Sequence, residues 1–440
     1  MSDLCARDLR VLWHPCTQMQ DHEWLPLVPI ARGEGPWLIS ESGKRYFDGV
    51  SSWWVNLFGH ANPIISAAVA KQAQTLEHVI LAGFTHRPAV ELAERLLALV
   101  GPPFSRVFYA DSGSAAIEVA LKMSFHFWRN VGQPGKQRFV VFDGAYHGET
   151  LGALSMTQVP LYRETYGALL LDPLVAPSPS GAFGSVDPAA SAASLDALRS
   201  LLETYAETVA AVIIEPLVQC AAGMRMHDPG FLSRLRALCD RYSVHLIADE
   251  VAVGFGRTGA MFAHQKAGIR PDFLCLGKGL TGGYLPLSCV LTNEHVYGAF
   301  YDEYRTLKAF LHSHSFTGNP LACAAALASL DIFATEPVLE RNAKLGVAMD
   351  KALRELAGHP HVRGIRRMGM IAAFDLVDGK GQPFPWQERR GLRVYQHALS
   401  EGALLRPLSN TVYFMPPYVA TPDELAWLVS VAARGVAAAT

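Results

Sequence analysis

The sequence has no run of five or more Lys/Arg residues, and its 38 Lys+Arg stand against 40 Asp+Glu for a formal net charge of -2. A nucleic-acid-binding face needs clustered cations that displace counterions from phosphates, so no nucleic acid is expected as a partner. No uninterrupted apolar stretch reaches the roughly 18 residues that a membrane-spanning helix requires. The apolar tail from Leu425 to Thr440 is broken by Arg434 and reads as a packed amphipathic helix, so no membrane partner is expected either. The opening Met1-Ser2-Asp3-Leu4-Cys5-Ala6-Arg7-Asp8 carries acids where a secretory signal has a basic and then an apolar segment. The cysteines (Cys5, Cys16, Cys220, Cys239, Cys275, Cys289, Cys323) form no C-x-x-C pair and no Cys/His set at zinc spacing. Neither disulfides nor a metal are expected, and reduced thiols in a cytoplasmic protein are. Charges make up only 18% of the chain, whereas 50% is hydrophobic and 10% aromatic, which excludes a disordered polar chain.

What is present is enough apolar material for more than one core. With 440 residues the chain exceeds the size, about 250–300 residues, at which single cores stop growing, so two domains are expected. Pro36 to Ile39 and Ser42 to Phe47 read as a hairpin, and Asn62-Pro63 caps a helix expected to reach about Leu81. From there short β-rich runs alternate with helical patterns: Arg106–Ala110, Arg138–Phe142, Val209–Ile214, Val244–Ala248, Phe273–Leu276 and Pro286–Leu291. Continuous apolar strands between helices predict an α/β fold with a mostly parallel sheet sandwiched by helices. Pro173 to Ser194 reads as one long surface loop, and Asn319-Pro320 opens a helix to about Ala334. Strands near Ile371–Leu376 and Val412–Met415, with helices near Gln387–Ser400 and Pro422–Val436, read as a smaller α+β domain.

Two motifs mislead. Gly254-Phe255-Gly256-Arg257-Thr258-Gly259 matches G-x-G-x-x-G, but Gly268 and Pro271 leave no room for the crossover helix that a dinucleotide fingerprint opens. Gly277-Lys278-Gly279 lacks the upstream glycine and the following Ser/Thr of a phosphate-binding P-loop.

The informative pair is Asp249 and Lys278. Each ends an apolar strand, so both emerge at one edge of a parallel sheet, where open α/β folds bind ligands. A glycine-flanked lysine at such an edge suits an amine that forms a Schiff base. A carboxylate beside it suits the ring nitrogen of pyridoxal phosphate, which must stay protonated to accept a carbanion's electrons. The two residues alone leave a structural ion pair open. Asp111-Ser112-Gly113-Ser114 opens a long helix whose free N–H groups form an anion site, though such a segment by itself is also an ordinary cap. Tyr146-His147-Gly148 follows another strand and offers an aromatic ring; a core tyrosine and a satisfied histidine are the alternative.

These segments, together with Trp13-His14-Pro15, Asp48 to Trp54, Ile214-Glu215-Pro216, Ala248-Asp249-Glu250-Val251, Leu276 to Gly283 and Gly318-Asn319-Pro320-Leu321-Ala322-Cys323, resemble the class III, fold-type I, pyridoxal-phosphate-dependent aminotransferases over nearly the whole chain. The resemblance implies pyridoxal 5'-phosphate as cofactor and a homodimer with shared active sites. It also implies a large cofactor domain of residues 61–335 and a small domain built from residues 1–60 and 336–440. Lys278, Asp249 and Tyr146 are then the expected catalytic residues. Ser112, Gly113, Tyr146, Asp249 and Lys278 are expected to hold the cofactor, with His314 and Ser315 reaching its phosphate from the partner. Trp53, Tyr146, Lys278, Ser313, Arg406 and Cys16 are expected at the substrate, Arg406 as the fork for a carboxylate. Arg257 is expected as a further cation of the site.

Within that family, the Trp-His-Pro opening, the double tryptophan and Arg406-Pro407 followed by Tyr413-Phe414-Met415-Pro416-Pro417-Tyr418 imply a biotin-pathway activity. Its amino donor is S-adenosylmethionine and its acceptor 8-amino-7-oxononanoate. An ω-amino acid or acetylornithine aminotransferase, or a pyridoxal-phosphate-dependent aminomutase, stays open as the alternative. Cys16 stands where relatives often carry a tyrosine, and a thiol is a weak hydrogen-bond partner. Glu149 reads as an exposed helix-terminal acid, with a carboxylate near the donor's charge as the alternative.

Overall fold

A computed structural model describes residues 3–440. Its centre is a seven-stranded sheet. The strands are β1 (Phe104–Ala110), β2 (Arg138–Phe142), β3 (Leu174–Ala176), β4 (Val209–Ile214), β5 (His245–Asp249), β6 (Phe273–Leu276) and β7 (Ser288–Asn293), in spatial order β1-β7-β6-β5-β4-β2-β3. Only β7 runs antiparallel to its neighbours, so the sheet is mostly parallel, as the apolar runs predict.

The continuous apolar character of these strands follows from burial on both faces. On β4 every residue is buried, yet its side chains alternate in company. Ala211 and Ile213 pack with Ile117, Val119 and Ala120 of α1 (Gly113–Asn130). Val212 and Ile214 pack with Leu198, Leu202, Phe231 and Leu235 on the opposite side.

The chain ends meet in smaller sheets. Ile30–Glu34, Trp37–Ser40 and Arg45–Asp48 form a meander, and Ala403–Leu404 joins it in parallel with Phe47 and Asp48. Val362–Met368, Ile371–Leu376 and Thr411–Phe414 form a second antiparallel sheet. The terminal helix Pro422–Ala439 starts at a reciprocal cap: the Thr421 hydroxyl accepts the Glu424 N–H, and the Glu424 carboxylate accepts the Thr421 N–H. Among the described residues no single helix is long and apolar enough to cross a membrane.

Two expectations need correction. The helix opened by Asn62-Pro63 ends at Ala73 rather than near Leu81. The Thr75 hydroxyl bonds back to the Lys71 carbonyl and the Gln72 side chain bonds the Leu76 carbonyl, closing the last turn. The segment from Pro173 to Ser194 is not one loop: it contains edge strand β3 and the start of the helix Pro188–Tyr205, capped by Asp187. Its Pro and Ser residues are first-turn and hydrogen-bonding positions, with Ser191 and Ser194 buried against the carbonyls of Pro179 and Pro177.

Candidate active site

β5 and β6 pair in parallel with Asp249 opposite Cys275, so Asp249 and Lys278 leave the sheet at the same edge. Lys278 begins a single 3-10 turn, Lys278–Thr281, at a φ of 41°. The glycines beside it are needed for close packing: a Cβ on Gly277 would stand 3.3 Å from Val251, and one on Gly279 3.1 Å from Leu57. Among the described residues the Lys278 amine has no hydrogen-bond or ion-pair partner, and its Nζ lies 5.1 Å from the centre of the Trp54 ring. Burial pushes its pKa below the ordinary lysine value, with Asp249, Cys220 and Glu215 pulling the other way. A buried amine shifted in that direction is more often neutral, hence more nucleophilic.

Asp249 is buried and doubly held. Its Oδ2 accepts from His147 Nδ1 at 2.7 Å, and its Oδ1 accepts the Val251 N–H at 3.1 Å. Behind it, Glu215 accepts the N–H groups of Tyr146 (3.0 Å) and Cys220 (2.9 Å). Burial raises its carboxyl to about 7, against the pull of His147 and with the push of Asp249. His147 and Glu215 therefore do more than the sequence suggests, since they join the loops after β2 and β4 to the carboxylate at the end of β5.

Ser112 caps α1, its Oγ accepting the Ala115 N–H at 3.3 Å, and its carbonyl accepts the Ser288 hydroxyl at 2.6 Å. Gly113 lies against the loop after Asp249, where a Cβ would meet Val251 Cγ1 at 2.6 Å. The N-terminus of this 18-residue helix presents unsatisfied N–H groups at the same sheet edge as Lys278.

Around the mouth, Glu149 is not a solitary helix-end acid. It accepts the hydroxyls of Tyr146 (2.8 Å) and Tyr162 (3.0 Å), and Cys16 Sγ lies 3.8 Å from the same oxygen and 3.5 Å from the Tyr162 hydroxyl. Tyr162 carries no signal in the sequence. It sits in the short helix Pro160–Tyr166, and only the fold brings it to Tyr146, with ring centres 6.1 Å apart.

The two adjacent tryptophans face different cations. Trp54 is buried beside Lys278 and donates its Nε1–H to the Tyr413 hydroxyl at 3.0 Å. Trp53 is 45% exposed, with the Arg406 guanidinium 5.7 Å from its ring centre. Arg257 is a correction: it is fully buried, and its Nη atoms donate to the carbonyls of Pro416, Trp54 and Asn56, so its charge is spent on backbone. The glycine motif around it forms successive turns without a helix opening. Ser313 and Ser315 are exposed, and His314 Nδ1 lies 3.6 Å from Asp111 Oδ2 of its own chain, next to Ser112.

A buried unpaired amine, a buried carboxylate and a helix N-terminus without room for a Cβ match the aldehyde, ring nitrogen and phosphate of pyridoxal phosphate. The comparisons agree. The family model for class-III aminotransferases matches residues 18–434. The adenosylmethionine-8-amino-7-oxononanoate aminotransferase of Helicobacter pylori is 46% identical, covering 96% of this chain and 95% of the relative. The protein of the same name from Geobacter sulfurreducens is also 46% identical, covering 96% and 94%. The crystal structure of the Methanocaldococcus jannaschii protein of that name superposes with a TM-score of 0.93 at 36% identity, over 99% of this chain and 98% of that one. A PLP-bound amine transaminase from an uncultivated Pseudomonas species superposes with a TM-score of 0.92 at 34% identity, over 97% and 98%. By the site's chemistry and by sequence along nearly its whole length, the chain belongs to the class III aminotransferases, fold-type I enzymes that work with pyridoxal phosphate.

Proposed function

We propose that this chain transfers the amino group of S-adenosylmethionine to 8-amino-7-oxononanoate, giving 7,8-diaminononanoate in biotin biosynthesis. The observation that carries this reading is the separation of Trp53 and Trp54. Trp54 lies beside the reactive amine and Trp53 under the Arg406 guanidinium. Such a pocket takes a sulfonium through the ring quadrupoles and equally an apolar chain whose terminal carboxylate reaches the guanidinium. The relatives of that name, 46% identical over nearly the full chain, support it.

When bound, pyridoxal phosphate supplies an electron sink conjugated to a protonated ring nitrogen. Asp249, oriented by His147, holds that proton at the ring nitrogen. Lys278 Nζ would hold the cofactor at its aldehyde carbon and, when free, would move the proton at the substrate's reacting carbon. Ser112 and Gly113 would hold the phosphate through the start of α1, and Tyr146 would lie at the ring. Cys16 and Ser313 border the substrate.

A homodimer fits the surface: Phe84, Tyr301, Tyr304, Leu307, Leu311 and Phe316 are all exposed on the single chain. In it, His314 and Ser315 of the partner subunit reach the phosphate. The division into a cofactor domain, 61–335, and a small domain from the flanking segments is supported by the pairing of Arg45–Asp48 with Ala403–Leu404. Buried thiols at Cys220, Cys239, Cys275, Cys289 and Cys323 fit a reducing cytoplasm.

Purified holoprotein given S-adenosylmethionine and 8-amino-7-oxononanoate is expected to form diaminononanoate, detected by mass spectrometry. Turnover only with glutamate, lysine or β-alanine as donor would overturn the substrate assignment, as would isomerisation of a single substrate without any donor.

A further inference from the structure

The segment carrying the double tryptophan has an unusual backbone. Ser51, Ser52, Trp53 and Trp54 all have positive φ, at 51°, 46°, 71° and 76°, and Ser52 and Trp53 have ψ of 52° and 45°. This is a full left-handed turn built from four non-glycine residues. L side chains disfavour it because Cβ crowds the following carbonyl, and such strain persists only where surrounding contacts over-determine it.

Those contacts converge on Asp48, which is fully buried. Its Oδ1 accepts the Ser52 N–H at 2.9 Å, and its Oδ2 accepts the Ser52 hydroxyl at 2.7 Å. His60 Nε2 lies 3.0 Å from the same Oδ2. The His60 tautomer follows from its other nitrogen: the Asn56 amide donates to Nδ1 at 3.1 Å, so Nε2 carries the hydrogen and gives it to Asp48. His60 is fixed in turn by reciprocal backbone bonds with Gly35 and by its fit over Gly33, where a Cβ would stand 2.4 Å from its own Cβ. Below the turn, the Ser51 hydroxyl donates to the Met415 carbonyl at 2.7 Å, and Arg257 takes the carbonyls of Trp54 and Asn56.

The left-handed winding sends Trp54 inward to Lys278 and Trp53 outward to Arg406. We infer that Asp48, braced by His60, is a positioning residue of this transaminase: by holding the left-handed turn it sets both indole faces of the substrate pocket. The inference rests on the reading of Trp53 and Trp54 as pocket walls. Asp48 touches neither reacting group, so its effect falls on how both substrates are held.

The test uses holoenzyme with S-adenosylmethionine and 8-amino-7-oxononanoate, measuring each half-reaction separately, together with the near-ultraviolet circular dichroism of the resting protein. Asp48→Asn keeps the shape but removes an acceptor. It is expected to raise KM for both substrates about tenfold, to leave kcat within about twofold, and to change the tryptophan ellipticity before any substrate is added. Gly33→Ala, in the strand Ile30–Glu34 and in contact with His60, dislodges His60 and is expected to move all three readouts in the same direction. Unchanged KM and ellipticity in both variants, with lowered thermal stability alone, would mean a purely structural role and overturn the inference. Should Asp48→Asn not fold, Ser52→Ala, which removes the 2.7 Å bond only, decides by the same criteria. The ellipticity readout needs no substrate, so a wrong substrate assignment leaves it intact: no turnover of that pair by the unaltered enzyme would count against the assignment, and normal ellipticity in all variants against the turn.

Discussion

Gly113→Ala is a stringent test of the cofactor cradle. The added methyl would sit 2.6 Å from Val251 Cγ1, closer than carbon atoms approach, and Val251 is itself buried at the turn following Asp249. Neither side can yield freely, because Ser112 is tied to Ser288 and Val251 to the Asp249 carboxylate. Overpacking of this kind costs about 1–3 kcal/mol. Displacing the first N–H groups of α1 by a few tenths of an ångström is expected to weaken pyridoxal phosphate binding about tenfold, equivalent to about 1.4 kcal/mol. Val251→Ala alone removes two buried methyl groups and should cost about 2 kcal/mol with little effect on the cofactor. In the double variant the clash has no partner, so stability should fall no further than in Val251→Ala and cofactor affinity should return. Urea unfolding followed by tryptophan fluorescence and absorbance titration of apoprotein with pyridoxal phosphate measure the two quantities. Strictly additive losses in the double variant, or unchanged affinity in Gly113→Ala, would refute the reasoning.

Three further outcomes follow from the geometry. Arg406→Met should raise KM about 10–100-fold in both half-reactions, since S-adenosylmethionine and the keto acid each bring a carboxylate for that guanidinium; an unchanged KM for the keto acid would contradict the assignment. Tyr162→Phe removes one of two hydroxyls on Glu149 and should alter the donor KM by up to about tenfold without lowering the thermal midpoint. His227 accepts the Leu217 N–H through Nε2 at 2.9 Å, and burial pushes its pKa from 6.5 down to about 4. Its folded pKa lies below the unfolded one, so the stability it contributes is present above pH 6.5 and is lost as pH falls toward 4. That loss is about 3 kcal/mol for this site; because Glu215, raised to about 7, changes in the opposite sense over the same window, it is read as the pH 7 to pH 4.5 change in urea midpoint of the unaltered protein relative to His227→Gln, and the same change in both would refute it.

Sequence pattern alone determined the sheet and its reactive edge. Runs such as Val209–Ile214 are apolar throughout because both sheet faces are covered, and that character identifies parallel strands before any contact is known. The cap at Ser112 and the glycines around Lys278 are legible for the same reason: they answer to local backbone geometry, which neighbouring residues specify. The helix end at Ala73 and strand β3 were not legible, because side-chain to backbone bonds and sheet-edge pairing decided them.

Contacts between distant segments were decided only by the tertiary structure. Tyr162 reaches Glu149 and Cys16 across a turn of chain that carries no motif. Arg257, a cation in sequence, becomes a backbone clamp because the carbonyls of Trp54, Asn56 and Pro416 surround it. The double tryptophan shows the division most clearly. The sequence places two indoles side by side, while their opposite destinations, Lys278 and Arg406, depend on a left-handed turn that local propensity opposes and that only Asp48, His60, Arg257 and the Met415 carbonyl, drawn from separate parts of the chain, hold in place.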